Sequence, residues 1–209
     1  MRCSDDEYWN VTSLHQQRLE KVVQTLLTCA AEHILDLGCG QGELLTRLAC
    51  EKQFKRIVGM DTSIEALTAA RQRLTVGKGG YDADRFSLCH ASFTDFDKDF
   101  AKFDAAVMVE TIEHIEPKRL SAVERAVFIG YRPKVVLITT PNYEYNTLHG
   151  LPEGALRHRD HYFEWSRTKF RAWAGGVAKR NNYLVVFDDI GTVDPRYGSS
   201  TQMATFKRG

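Results

Sequence analysis

The chain has 209 residues, of which 43% are hydrophobic and 26% are charged, and its formal net charge is +1. That composition is typical of a globular protein with one sizeable core, and the near-neutral charge gives no global argument for a nucleic-acid partner. No apolar run approaches the ~18 residues of a membrane span, so we expect no membrane partner. Five cysteines without a C-x-x-C pair, together with an acidic N-terminus unlike a signal peptide, predict reduced thiols in a cytoplasmic protein.

The first half of the chain alternates between helical and strand patterns. Apolar residues at helical spacing predict an amphipathic helix in an N-terminal extension over about 13–31; they are Leu19, Val22, Val23, Leu26 and Leu27. Short apolar runs predict strands, the third of them weak, at 33–37, 56–61 and 86–91. Helical patterns lie between them at 42–50 and 64–74. This alternation is typical of parallel βαβ units.

The second half continues the pattern and then changes it. Two further strands are predicted at 103–109 and 134–140, with a helix at 120–129 between them. Ser166 has the side chain of a helix N-cap, and the helix it begins is predicted to end near Arg180. Strands at 183–190 and 201–207 follow each other without a helix. We therefore predict an α/β fold with a seven-stranded, mostly parallel sheet, helices on both faces and an antiparallel edge strand.

A glycine-rich turn follows the first strand, with the sequence Asp36-Leu37-Gly38-Cys39-Gly40-Gln41-Gly42. Glycines at this place let the backbone approach a ligand closely. The spacing differs from the G-x-G-x-x-G of dinucleotide sites, and the leading acid suits a ligand with an ammonium group. Asp61 ends the second strand, where a carboxylate accepts ribose hydroxyls, and Ser92 and Phe93 are placed to bind and cover an adenine.

These features resemble the class I S-adenosylmethionine (SAM)-dependent methyltransferases over roughly residues 31–190. The resemblance implies a Rossmann-like fold and SAM as cofactor. The predicted cofactor-binding residues are Asp36, Gly38, Gly40, Asp61, Ser92 and Phe93. The alternative interpretation is a dehydrogenase-like or purely structural glycine turn.

Two carboxylates and two imidazoles lie downstream of the fourth and fifth strands. Glu110, Glu113 and His114 fall on one side of a helical turn, and His161 comes from the irregular segment after the fifth strand. Ligands of open α/β sheets bind outside the carboxyl ends of the strands, where all four residues are expected. Such a set suits a divalent cation with open positions for substrate oxygens. The alternatives are a solvated helix face and a His161 that only caps a helix or pairs with Glu164.

A second resemblance is to the Hen family of small-RNA 3′-terminal 2′-O-methyltransferases. It is carried by three motifs, Glu110-Thr111-Ile112-Glu113-His114, Thr139-Thr140-Pro141-Asn142-Tyr143-Glu144-Tyr145-Asn146 and Leu156-Arg157-His158-Arg159-Asp160-His161-Tyr162-Phe163-Glu164-Trp165-Ser166-Arg167. It implies catalytic and metal-ligating roles for Glu110, Glu113, His114 and His161, with Mg²⁺ or Mn²⁺ as the one divalent cation. It also implies that Asp36 and Asp61 bind SAM and that Arg18 lies near the cofactor or the metal.

The resemblance is stronger to the catalytic half of the bacterial branch, which works with a polynucleotide kinase-phosphatase and ligase in RNA repair. The expected organisation is a single methyltransferase domain over 1–209. Within it, a SAM-binding core spans about 32–141, a metal- and RNA-binding segment about 142–180, and closing strands about 183–208.

The segment from Arg157 to Arg180 carries seven basic residues against two acidic ones. Phosphates favour such a patch, and nearby aromatic side chains favour unstacked bases. The predicted RNA-binding residues are Arg18, Arg157 and Arg159, and the predicted partner is the 2′,3′-diol at the 3′ end of RNA. The aromatic residues have a simpler interpretation as core of the last helix.

Two other functions remain open from the sequence. One is a metal-independent methyltransferase acting on the oxygen or nitrogen of a small molecule. The other is a non-catalytic RNA-binding module of a repair complex, which would need no intact SAM turn.

Overall fold

The computed structural model describes residues 13–76, 82–101 and 103–209. Seven strands form one sheet in the order β3-β2-β1-β4-β5-β7-β6. In chain order, β1 to β7 are His33–Leu37, Arg56–Asp61, Phe86–His90, Ala105–Val109, Val135–Pro141, Tyr183–Ile190 and Thr201–Arg208. The α-helices α1 to α5 are Ser13–Thr28, Glu43–Ala49, Ile64–Val76, Leu120–Glu124 and Arg167–Asn181.

The first five strands are parallel, and β7 pairs antiparallel with both β5 and β6. The two last strands have no helix between them, so they pair as neighbours in the antiparallel sense. The predicted seven-stranded, mostly parallel sheet is thus confirmed. The predicted antiparallel edge strand is wrong, because the antiparallel strand β7 lies between β5 and β6, and β6 forms the edge. Because β1, β2, β4 and β5 run in the same direction, their carboxyl ends meet at one edge of the sheet.

Alternate residues of each central strand pack into two separate cores. On one face, Ile34 and Val107 belong to a core that includes residues of α1, α2 and α3. On the other face, Leu35 and Ala106 belong to a core that includes residues of α4 and α5. Side chains of a strand point alternately to opposite faces, so a sheet covered on both sides needs apolar residues at every position. This accounts for the uninterrupted apolar runs of the sequence.

Three features differ from the sequence interpretation. The helix predicted at 120–129 is an α-helix only as far as Glu124 and continues as a π-helix over Arg125–Tyr131. The segment predicted as irregular contains a 3₁₀ helix over Tyr143–His149. Thiols are free at Cys29, Cys39 and Cys89, whereas Cys50 is disulfide-bonded, so the prediction of reduced thiols throughout is wrong for Cys50; Cys3 lies outside the described residues.

Within the described ranges, no helix combines the length and the apolar composition needed to cross a membrane.

Candidate active site

The glycine-rich turn and the Glu110–His114 segment touch each other at the carboxyl edge of the sheet. Gly38 has a φ of +81°, and a Cβ built on it would lie 2.6 Å from Cγ2 of Thr111. Only glycine satisfies both the left-handed backbone and this close approach. The Thr111 hydroxyl in turn donates to the backbone oxygen of Val109 at 3.1 Å. The two predicted halves of the site are therefore packed against one another.

Asp36 offers a buried carboxylate oxygen without a partner. Its side chain is buried in β1, and its Oδ2 atom has no hydrogen bond. Burial, with the nearby Asp61 and Glu43 adding to it, raises the pKa of Asp36 to about 8. A buried carboxylate oxygen left unpaired is costly, so a cationic group on a ligand would be held strongly here. The ammonium group of SAM fits that requirement.

Asp61 holds the glycine turn in place from the end of β2. Its Oδ2 accepts the backbone N–H of Gly40 at 2.8 Å, and its Oδ1 accepts that of Ser63 at 2.9 Å. A carboxylate has about four acceptor sites, so two remain for the hydroxyls of a ribose. Gly40 has a φ of +52° and no atom within 4 Å of the position of a Cβ, which leaves open space beside the carboxylate.

Ser92 and Phe93, predicted at the adenine, lie after β3 with different environments. The Ser92 hydroxyl is 2.7 Å from that of Thr94. Phe93 is 9% exposed and belongs to the same core cluster as Val58 and Met60. Contact of either residue with an adenine stays a prediction, and Phe93 would offer only a small part of its ring.

Three of the four predicted metal ligands come together. One ligand atom each of Glu113, His114 and His161 lies within 4.8 Å of the other two. Glu113 and His114 belong to a 3₁₀ turn after β4, Ile112–His114. The segment with His161 is joined to that turn because the N–H of Tyr162 donates to the backbone oxygen of Glu113 at 2.8 Å. The two parts of the cluster are thus held together by the backbone.

In both His114 and His161, one ring nitrogen faces an oxygen that can accept a hydrogen bond but cannot donate one. Nδ1 of His161 is 2.6 Å from Oε1 of Glu164, and Nδ1 of His114 is 3.2 Å from the backbone oxygen of Asp160. Each Nδ1 therefore carries the proton in the neutral ring and donates it. This leaves each Nε2 with a lone pair, which is the usual arrangement of histidines that bind metals.

Glu113 supplies an unpaired oxygen to the cluster. Its side chain is fully buried; Oε2 accepts the Thr140 hydroxyl at 2.9 Å, while Oε1 has no partner. Burial, followed by repulsion from Glu110, raises the pKa of Glu113 well above its usual range. A divalent cation would compensate both effects. The carboxylate oxygen suits Mg²⁺ or Mn²⁺, whereas the two imidazole nitrogens favour Mn²⁺ or a later transition metal.

Glu110 is the exception among the predicted ligands. Its backbone is left-handed, with a φ of +49°. Oε1 accepts the Thr139 hydroxyl at 2.9 Å, and Oε2 is 3.0 Å from Nη2 of Arg18. Three of the four predicted ligands therefore come together, and Glu110 lies beside them, engaged by other partners; its role as a metal ligand stays a prediction.

The three predicted RNA-binding arginines differ greatly in accessibility. Arg18 is buried, and its Nη2 also donates to the Thr201 hydroxyl at 3.0 Å. Arg157 donates to Asn146 Oδ1 at 2.6 Å and to the backbone oxygen of Asn142 at 2.6 Å. The side chain of Arg159 is 92% exposed. The structure thus gives Arg157 an internal supporting role and leaves Arg159 as the accessible candidate for phosphate contact.

The sequence interpretation missed the residues that support the imidazoles. The sequence offers Glu164 only as an alternative partner of His161, although pairing and metal binding use different ring nitrogens. Thr140 and Asn146 stand in a motif of the family resemblance, which assigns them no role. In the structure Thr140 donates to Glu113, and Asn146 donates to Glu164 at 2.6 Å. The His-x-x-Glu spacing of 161 and 164 was the available signal for Glu164. For Thr140 and Asn146 the available signal was their place in that motif.

The chain is similar in sequence and structure to known methyltransferases. A family model described as a methyltransferase domain matches residues 34–133. The crystallised methyltransferase domain of bacterial CtHen1 is 42% identical, with a TM-score of 0.83, over 93% of this chain and 100% of that chain. The likeness confirms the Rossmann-like methyltransferase fold.

A small RNA 2′-O-methyltransferase of Arabidopsis thaliana is 32% identical over 93% of this chain and 22% of its own length. The chain spans between about a fifth and about a half of the length of the first curated relatives it matches. A chain in the Pnkp1/Rnl/Hen1 RNA repair complex is 21% identical with a TM-score of 0.69, over 94% of this chain and 42% of that chain. At that identity the likeness shows the fold alone.

Proposed function

Because the chain belongs to the family of bacterial Hen1 methyltransferase domains, we propose that it methylates the 2′-hydroxyl of the 3′-terminal nucleotide of RNA, using SAM and one divalent cation. The single observation that supports the metal dependence is the unpaired, buried Oε1 of Glu113 beside two imidazoles. The curated relatives named small RNA 2′-O-methyltransferases support the substrate class.

The residues of the cluster have separate tasks in this proposal. Glu113, His114 and His161 would hold the cation, for which Mn²⁺ and Mg²⁺ are the two candidates. When bound, the cation supplies Lewis acidity, which lowers the pKa of a hydroxyl that coordinates it. Three protein ligands leave positions for substrate oxygens. The terminal ribose is the one ribose of an RNA strand with both hydroxyls free, which accounts for selectivity towards the 3′ end.

The glycine-rich turn would hold the methyl donor next to this cluster. Asp36 accepts the ammonium group and Asp61 accepts the ribose hydroxyls. The contact between Gly38 and Thr111 holds the turn against the Glu110–His114 segment, which would keep the methyl donor close to the hydroxyl; such proximity supplies much of the rate enhancement of a transfer reaction. The sulfonium is already electrophilic, so the chain needs to position the hydroxyl and remove its proton.

Three RNA ends test the proposal. With labelled SAM and Mn²⁺ or Mg²⁺, we expect methylation of RNA that ends in a 2′,3′-diol and none of RNA that ends in a 2′-deoxyribose or a 3′-phosphate. The 3′-phosphate retains the 2′-hydroxyl but loses the diol, so equal methylation of that RNA would contradict the terminal specificity. RNA binding without any transfer would favour the non-catalytic module. Transfer to small alcohols or amines alone would favour the small-molecule enzyme.

The pH dependence of SAM affinity tests the role of Asp36. Its pKa is raised to about 8, so below that pH the carboxyl is protonated and must lose its proton to accept an ammonium group. We expect the SAM affinity, measured by calorimetry, to fall about tenfold per pH unit below pH ~8. In Asp36→Asn the affinity should be lower at pH ~8 and nearly flat at acidic pH. A wild-type affinity that does not change between pH ~6 and ~8 would contradict this role.

A repair partner belongs to the same proposal. A polynucleotide kinase-phosphatase and a ligase would supply and use RNA ends, and the relative in the Pnkp1/Rnl/Hen1 complex has the same fold. Arg159 remains the predicted phosphate contact for the RNA strand, since its side chain is exposed near His161.

A further inference from the structure

We propose that Glu164 is the positioning residue of the cation site, acting through His161 and held in place by Asn146 and Arg157. This inference rests on the proposed metal dependence and goes beyond it, because it assigns the control of metal affinity to a side chain that does not touch the metal. The contacts of Glu164 carry the argument.

The Glu164 carboxylate is fully enclosed by donors. Its side chain has no solvent exposure. Oε1 accepts Nδ1–H of His161 at 2.6 Å and the backbone N–H of Arg157 at 2.7 Å. Oε2 accepts Nδ2–H of Asn146 at 2.6 Å, with Nε of Arg157 at 4.0 Å. A buried carboxylate with this many donors has one orientation, so its direction towards His161 is fixed.

Arg157 connects this carboxylate to the sheet. Its guanidinium donates to the backbone oxygen of Asn142 at 2.6 Å and to that of Ser200 at 2.9 Å. Asn142 directly follows β5, and Ser200 directly precedes β7. Nε of Arg157 also donates to Oδ1 of Asn146 at 2.6 Å. The side-chain amide of Asn146 is the group that donates to Glu164. The segment with His161 is thus attached to two neighbouring strands by one side chain.

The consequence for His161 is chemical. A free imidazole exchanges its proton between Nδ1 and Nε2, and only an unprotonated Nε2 binds a metal at that atom. Since the carboxylate can only accept, it keeps the proton on Nδ1 and leaves the Nε2 lone pair to the cluster. The ring also keeps its direction relative to His114, with the two ring centroids 4.7 Å apart. Without Glu164, both the tautomer and the ring orientation are free to change.

Binding of Mn²⁺ alone tests the inference, by titration calorimetry or by the loss of the free-ion signal in electron paramagnetic resonance. We expect Glu164→Ala to weaken Mn²⁺ binding about 10- to 100-fold. Glu164→Gln keeps one accepting oxygen and should lose less. Glu144→Gln is the matched control, because this acid of the same segment pairs with Arg167 at 2.6 Å and should leave Mn²⁺ affinity unchanged.

A second measurement needs no metal. Long-range ¹H–¹⁵N NMR spectra should show His161 as the Nδ1–H tautomer in the wild type and in Glu144→Gln, and a mixture of tautomers in Glu164→Ala. Neither experiment uses RNA or SAM. A failure of the positioning role of Glu164 can therefore be distinguished from a failure of the proposed methyl transfer.

The inference is overturned if folded Glu164→Ala binds Mn²⁺ as the wild type does, or if its His161 tautomer is unchanged. Should Glu164→Ala fail to fold, Glu164→Gln decides the question: Mn²⁺ affinity equal to that of the wild type would overturn the inference, and a reduced affinity with an unchanged SAM affinity would support it.

Discussion

Replacing Glu113 by alanine is expected to abolish methyl transfer and to leave SAM affinity within about twofold of the wild type. The change removes the one carboxylate oxygen of the cluster that has no partner, so the cation would lose its charged ligand. A bound metal ion supplies several kcal/mol of stabilisation, which corresponds to about a thousand-fold in rate. His114→Ala should have an effect of the same order. Single-turnover methylation of diol-ended RNA measures the rate, and calorimetry measures SAM affinity.

Glu116 provides the control for this experiment. It lies three residues beyond Glu113 in the chain, but its carboxylate is partly exposed and pairs with Lys118 at 2.6 Å. Glu116→Gln should therefore retain the wild-type rate. Wild-type activity in the presence of EDTA, or in either alanine variant of the cluster, would show that the transfer does not depend on a metal.

Replacing Asp61 by alanine is expected to weaken SAM binding by about 100-fold or more. Hydrogen bonds to a charged group contribute about 1.5–3 kcal/mol each, and two ribose hydroxyls would lose their acceptor. The N–H of Gly40, which donates to Asp61 at 2.8 Å, would lose its partner as well, so the turn itself should become less ordered. Calorimetry with SAM measures the affinity, and thermal unfolding reports the cost to the fold.

A graded series makes this prediction specific. Asp61→Asn keeps one accepting oxygen and should fall between the wild type and Asp61→Ala. Glu65→Gln changes an exposed acid in the same turn, which accepts the Ser63 hydroxyl at 3.0 Å, and should leave SAM affinity unchanged. If Asp61→Ala bound SAM as tightly as Glu65→Gln does, Asp61 would not be the ribose acceptor.

The elements that could be predicted from the sequence are those whose signal is local. The strands of the sheet are apolar runs bounded by turn residues, and α1 shows its helical spacing in Leu19, Val22, Val23 and Leu26, all buried. Ser166 caps α5 as expected, because its hydroxyl accepts the N–H of Lys169 at 3.3 Å. The π-helix after Glu124 was missed because the apolar spacing that predicts a helix does not specify which backbone hydrogen bonds close its turns.

The environment of the site residues could not be predicted in the same way. Glu110 and Glu113 are both glutamates after the same strand, and only the tertiary partners of each distinguish them. Arg18 and Thr139, far apart in the sequence, engage Glu110. Likewise, Arg157 has the sequence context of a phosphate-binding arginine, but its acceptors come from the ends of two strands. A motif identifies the residue types of a site. Which hydrogen-bond partners each of its polar atoms has depends on segments of the chain outside the motif.

The backbone of Glu110 has a consequence for efforts to stabilise this protein. A left-handed conformation costs a residue with a Cβ about 1–2 kcal/mol, and glycine would avoid that cost. A search for stabilising substitutions based on backbone geometry would therefore select position 110 early. Glycine there would also remove the carboxylate that pairs with Arg18 and would leave the buried guanidinium with neutral partners such as Thr201. At position 110 the backbone conformation thus favours glycine, whereas the neighbouring Arg18 favours glutamate. Glu110 is best left unchanged.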